Sequence, residues 1–317
     1  MKQLKNSKVT FCPGPGAIIP EWFKNQSEFF GRGDKEYDNI KHRTLNWLKK
    51  KSGQDEIVPV AGAATTAAIV AINSFLKGRV LVINTGYYSN RWLNYLKNSK
   101  IKNKVVSLDY ALFLKKKDFK KIDWIVFTYV ETASCTKFDL EKIKKKAKKN
   151  SCKLFLDATA SIGLEKNHHL ADVLIFSSCK GLFGPTGLGF IGYKKKIKPK
   201  VTPKDFLFNY LNHKEGKYTL GYNCIASLYS ISKNHSRYLK KINFAQKKLK
   251  KFNVSNNSPK IGLGLKYKIR NKKINKTIFY IPRENPGYDV IFLLGLIKFK
   301  NSEIIKILKS RIIDNFI

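Results

Sequence analysis

The chain has 317 residues, 43% of them hydrophobic, with 21 Phe, 15 Tyr and 4 Trp, which excludes a disordered chain or one stapled by disulfides. Five scattered Cys with no CxxC pair give no zinc signature and fit a reducing cytoplasm, while 62 basic against 22 acidic residues leave a net charge of +40. No apolar run of about 18 residues is present, so no membrane-spanning helix is expected, and the start MKQLKNSKVTFCPGPG lacks the apolar stretch of a secretory signal.

Along the chain, short apolar runs alternate with amphipathic stretches. Strands are predicted at EIVPVAG (56–62), RVLVIN (79–84), KVVSLD (104–109), DWIVFTYV (123–130), KLFLDA (153–158), DVLIFSS (172–178) and GLGFIGY (187–193). They are rich in Val, Ile and Phe without polar alternation, as strands buried on both faces are. Helices are predicted at 64–76, 90–97 and 139–149, the last with Asp139 as N-cap and Leu140, Ile143 and Ala147 on one face. Such alternation predicts an α/β fold, a mostly parallel sheet sandwiched by helices. Residues 194–223 read as loop, followed by a helix over 225–250. The polar break NVSNNSPK (253–260) divides a large domain (1–252, with an N-terminal arm) from a small α+β domain (253–317). The small domain is expected to hold strands in GLKYKI, TIFYIP and YDVIFLLG and a closing helix from Ser302.

The positive charge has two readings. Lys and Arg neutralise phosphates, which would suit nucleic acid or an anionic membrane. The excess is mostly Lys, however, strewn through every segment beside Asn and Ile, as AT-rich coding drift produces. Runs such as KIKKKAKK (142–149) and KKLKK (247–251) alternate with apolar residues as solvated helix faces do. No nucleic-acid motif is present, so no specific nucleic-acid partner and no membrane partner is expected.

In open α/β sheets ligands sit at the carboxyl ends of the strands. There the loop GAATTAA (62–68) opens a helix with small residues, which lets backbone N–H groups approach a phosphate, although small residues also serve packing. Asp157 ends an apolar strand, as an N-cap, an ion-pair partner or a functional acid. DVLIFSS runs into Cys179 and Lys180 and then GLFGPTGLG; a Lys beyond a buried strand and framed by glycines binds an anion or works chemically.

The PGP opening (13–15), NTGYYSNR (84–91), YVETAS (129–134), DATASIG (157–163) and SSCKGLFGPTGLGFIGY (177–193) together resemble the class V aminotransferases of fold type I, especially the 2-aminoethylphosphonate–pyruvate and alanine–glyoxylate transaminases. The resemblance covers 11 to about 230. It implies pyridoxal 5'-phosphate as cofactor, carried covalently by Lys180, with Asp157 paired to the ring nitrogen. It further implies that Tyr88 stacks on the ring, Thr132 bonds its 3-oxygen and Thr159 touches the opposite face. Ala63, Ala64 and Thr65 would hold the phosphate, with Cys179 where relatives often place a polar phosphate contact.

The pattern departs from relatives in three places. The Thr-Pro-like pair that reaches the partner subunit's phosphate is replaced in GYNCIASLY (221–229) by Tyr222 and Asn223, either able to donate. The strand YDVIFLLGLI (288–297) lacks the relatives' carboxylate-binding Arg, and the small domain is short. Arg32 is the first alternative anion-binding candidate, with Arg91 and Arg283 behind it; His168 and His169 read as structural. The expected function is a cytoplasmic, homodimeric transaminase. It would pass an amino group from a small donor (2-aminoethylphosphonate-like, alanine or serine) to a 2-oxo acid such as pyruvate or glyoxylate. Two alternatives are a lyase or desulfurase of the same fold, the latter needing a mobile loop Cys that is absent, and a degenerate non-catalytic relative.

Overall fold

A computed structural model describes residues 8–26, 33–99, 104–119, 121–200, 204–253 and 257–316. The seven predicted apolar runs form one sheet: β1 (Glu56–Ala61), β2 (Arg79–Asn84), β3 (Lys104–Asp109), β4 (Trp124–Thr128), β5 (Lys153–Asp157), β6 (Val173–Ser177) and β7 (Leu188–Tyr193). Their order is β1-β7-β6-β5-β4-β2-β3. Strand β7 is antiparallel to both neighbours and the remaining pairs are parallel, so β1 points the same way as β6. The carboxyl ends of β1, β2, β4, β5 and β6 therefore share one edge.

The helices are α1 (Lys35–Ser52), α2 (Ala64–Phe75), α3 (Tyr87–Asn98), α4 (Tyr110–Lys115), α5 (Leu140–Lys149), α6 (Tyr210–Lys214), α7 (Tyr222–Leu249) and α8 (Asn301–Arg311). Successive strand residues feed opposite apolar layers, as the period of two requires. Leu154, Leu156, Leu174 and Phe176 join the layer of α5 and α7, while Phe155, Val173 and Ile175 join that of α2 and α3. Lack of alternation in the sequence thus reflects burial on both faces. Strand β3 is the exception: it is the sheet edge, and Lys104, Ser107 and Asp109 are exposed. Charge on an edge strand discourages pairing with other chains.

Four features depart from the expected elements. Helix α1 was not foreseen, although Asp34 caps its first amides and Gly53 closes it in the left-handed region at φ 63°. Helix α3 begins three residues earlier than its apolar pattern suggests. A short strand Val9–Phe11 pairs in parallel with Thr277–Phe279. The strand expected at GLKYKI lies earlier, at Gly262–Leu265, antiparallel to Asp289–Phe292. Apolar residues of 261–312, including Leu294 and Ile304, are continuous with the α7-side layer.

Candidate active site

A cleft opens at the carboxyl edge of the sheet, where ligands of such sheets bind. Each strand contributes through its end. After β1, the start of α2 supplies Ala64 and Thr65; after β2, α3 supplies Tyr88, Arg91 and Trp92. Strand β4 ends in Thr128 and leads to Val130 and Thr132, β5 ends in Asp157 followed by Thr159 and Ala160, and Lys180 lies just beyond β6. Thr128 and Asp157 are register partners. Side chains that begin at neighbouring strand ends converge without any long reach.

Asp157 is 5% exposed, and both its oxygens are held: Trp92 Nε1 donates to Oδ2 at 2.9 Å and the Thr159 amide donates to Oδ1 at 2.9 Å. Lys180 Nζ lies 5.5 Å from the Tyr88 ring centroid. The stem of this lysine is backed by Gly14 at φ 139°, where an added Cβ would come within 3.1 Å of Lys180 Cγ and of the Cys179 carbonyl. This close approach explains why the PGP opening carries glycine between its prolines. Arg91 packs 5.6 Å over Tyr88 and 5.8 Å over Trp92, and its Nη2 is 3.4 Å from Thr65 Oγ1.

Behind Tyr88, the fully buried Glu131 accepts the amides of Tyr88 (2.8 Å) and Ala133 (2.9 Å). Burial pushes its carboxyl up to about 7 against these two hydrogen bonds, with Glu284 and Asp157 adding to the rise. Gly86, at φ 129°, leaves room for Glu131 and Glu284, whose atoms an added Cβ would meet at 3.0 Å.

The cleft thus gathers Ala64, Thr65, Tyr88, Arg91, Thr132, Asp157, Thr159 and Lys180 from the sequence candidates, while Arg283 is not among its lining residues. Ala63 adjoins it as the extended N-cap residue of α2, with no side-chain cap on the helix. Cys179 is not among the lining residues; its Sγ lies 3.6 Å from Ser177 Oγ. Tyr222, at the start of α7, packs edge-on against Tyr37 at 4.5 Å and lies away from the cleft of its own chain. Arg32 lies outside the described residues. Trp92, Thr128 and Glu131 were not singled out by the sequence. Trp92 was findable, because it is four residues after Tyr88 and so shares its helix face.

A parallel-dominated sheet with an acid and a lysine at adjoining strand ends defines the fold type I class of pyridoxal phosphate enzymes. The chain belongs to the aminotransferase class-V family, whose sequence model matches residues 23–251. An uncharacterized aminotransferase of Helicobacter pylori is 24% identical over 216 residues, 63% of this chain; the match spans only 58% of that relative. The structure is similar to an aspartate aminotransferase of subgroup IV from Thermus thermophilus, with a TM-score of 0.79 and 15% identity over 96% of this chain and 98% of the other. An alanine–glyoxylate aminotransferase from Nostoc gives a TM-score of 0.75 and 13% identity, over 96% and 94%. At such identities the likeness shows the fold.

Pyridoxal 5'-phosphate is the cofactor of this class, and the residues present fit it. The Oγ1 atoms of Thr128, Thr132 and Thr159 are buried in the cleft with no hydrogen-bond partner among the described residues. Buried hydroxyls are ordinarily satisfied, so three in one cleft mark a polar occupant. An uncapped helix start beside Arg91 suits its phosphate.

Proposed function

We propose that the protein is a pyridoxal phosphate-dependent transaminase. It moves an amino group from a small donor, such as alanine, serine or a 2-aminoethylphosphonate-like amine, to a small 2-oxo acid such as pyruvate or glyoxylate. The observation that carries this reading is the meeting of Lys180, Asp157 and the Tyr88 ring in a cleft with three hydroxyls that have no partner among the described residues.

The bound cofactor supplies an electron sink that lets a proton leave the carbon next to the donor nitrogen. Lys180 Nζ would hold the cofactor at rest and, once freed by the donor amine, would carry that proton from the donor's carbon to the cofactor's aldehyde carbon, and in the second half-reaction from there to the acceptor's carbon. Asp157, fixed by Trp92 and Thr159, places its negative charge against the cationic ring nitrogen. Tyr88 offers a flat face to the ring, and Thr132 and Thr159 donate their hydroxyls. The amides at Ala63, Ala64 and Thr65, together with Arg91, hold the phosphate. The Tyr222 hydroxyl and the Cys179 thiol enter only from outside the lining residues, Tyr222 by reaching the site of a partner.

A cytoplasmic homodimer belongs to the same reading. Tyr222 lies apart from the cleft of its own chain and Asn223 beside it is exposed. Just upstream, Phe206 (56%), Leu207 (42%) and Leu211 (40%) present apolar surface that a second copy would cover.

Two measurements test the reading. Purified protein given pyridoxal phosphate develops an absorbance band near the visible edge, and borohydride reduction followed by peptide mapping leaves the label on Lys180. Alanine then bleaches that band and pyruvate restores it. A label on another lysine, or a band that no amine alters, overturns it.

A further inference from the structure

The strand expected to carry a carboxylate-binding arginine has none: Asp289–Phe292 is a short strand whose last three residues are buried and apolar. A guanidinium from the preceding loop nevertheless approaches Tyr88, a ring that lines the cleft, although Arg283 is not itself among the lining residues. Arg283 Nη1 donates to Tyr87 Oη at 2.9 Å, and its Cζ lies 5.1 Å over the Tyr87 ring and 5.9 Å over the Tyr88 ring. Tyr88 is the ring that Lys180 Nζ approaches to 5.5 Å, so Arg283 and Lys180 lie within 6 Å of one centroid.

We infer that Arg283 is the substrate-carboxylate receptor of this site, built from a loop instead of the usual strand. The inference rests on the transaminase reading and names its substrates as 2-oxo acids and α-amino acids.

Three features carry it. A guanidinium has five N–H donors and Tyr87 takes one. No described carboxylate comes within 4 Å of Arg283, although the chain places Glu284 next to it; the Glu284 carboxylate turns instead towards Gly86 and Glu131. The fork therefore keeps donors for a planar anion, which it can hold bidentately. Stacking on Tyr87 and the bond to its hydroxyl fix the plane of an otherwise exposed, rotamer-rich side chain, which lowers the ordering cost on binding. Arg91, the arginine that lines the cleft, is engaged at the helix start with Thr65, on the phosphate side. Tyr88 is the one ring that both arginines approach, Arg91 at 5.6 Å and Arg283 at 5.9 Å, and each guanidinium suits a different anion.

Pyruvate is the probe, because a 2-oxo acid does not exchange with the cofactor's aldehyde form and its binding is read without turnover. Calorimetry on cofactor-loaded protein should show the pyruvate Kd rising roughly 10- to 100-fold in Arg283→Gln, as loss of hydrogen bonds to a charged group predicts, with part of the loss recovered in Arg283→Lys. Cofactor affinity should stay within twofold, and so should the half-reaction rate with propylamine, which has no acidic group. A pyruvate Kd unchanged in Arg283→Gln overturns the inference while leaving the transaminase reading intact. A wild type that takes up no cofactor overturns both.

Discussion

At the scale of single residues, the site depends on how one buried carboxylate is held. Asp157 ends β5, is 5% exposed and has both oxygens engaged by Trp92 and Thr159. A charge-assisted contact of this kind is worth about 1.5–3 kcal/mol, so Asp157→Asn should weaken cofactor binding about 10- to 100-fold and cut turnover by orders of magnitude. Near-normal turnover in that variant would remove Asp157 from its role. Trp92→Phe separates orientation from charge: it keeps the carboxylate and an aromatic ring at the site but deletes the Nε1–H donor and part of the packing. The buried Oδ2 then lacks that partner, which should cost about 1–3 kcal/mol of stability, while cofactor affinity falls less than in Asp157→Asn. Thermal unfolding and cofactor titration of the two variants check the order. If Trp92→Phe loses more affinity than Asp157→Asn, the tryptophan contacts the cofactor in its own right.

At the scale of elements, what could be read from the sequence follows what is encoded locally. Six of the seven strands are apolar on both faces, and the acid and the lysine at the ends of β5 and β6 stand out for that reason. Helix α1 carried legible caps in Asp34 and Gly53, but its buried stripe of Tyr37, Ile40, Thr44 and Leu48 is diluted by a run of charges. The approach of Arg283 to Tyr87 was not legible, since it joins positions 196 apart by the packing of a loop. The PGP segment lies between these cases, with its motif visible and its contact with Lys180 hidden. Gly14→Ala tests that contact. A side chain at φ 139° is strained, and its Cβ would meet Lys180 Cγ at 3.1 Å. The variant should lose about 1–3 kcal/mol of stability and take up cofactor more slowly, because the lysine stem must shift. A variant with wild-type melting and uptake would show that the stem has room to move.

At the scale of the whole molecule, net charge and two buried rings act in the same direction as acidity increases. The chain carries +40, and only six ion pairs offset it among the described residues, so screening by salt should raise its melting temperature from a low-salt baseline. Acid adds a sharper effect. His168 is bonded to Ser161 Oγ at 2.9 Å and His235 to the Gly181 carbonyl at 2.9 Å, the residue after Lys180. Burial is the main force that lowers both rings from 6.5 to about 4, with His169 and Lys51 contributing as nearby positive charges. The unfolded chain binds these protons near pH 6.5 and the folded chain only near pH 4. The stability that the neutral rings contribute is therefore full above pH 6.5 and is lost as pH falls towards and through 4. At 1.36 kcal/mol per unit, the loss is about 3 kcal/mol for each histidine. Urea unfolding midpoints taken from pH 7 to 4 should fall steeply, and His168→Gln should flatten that fall by roughly half of the two-histidine contribution, whatever its cost at pH 7. If the wild-type and His168→Gln curves run parallel from pH 6.5 to 4, His168 takes up its proton in the folded protein as readily as in the unfolded one. The acid sensitivity would then lie in His235 and the net charge, and added salt would remove only the part that comes from charge.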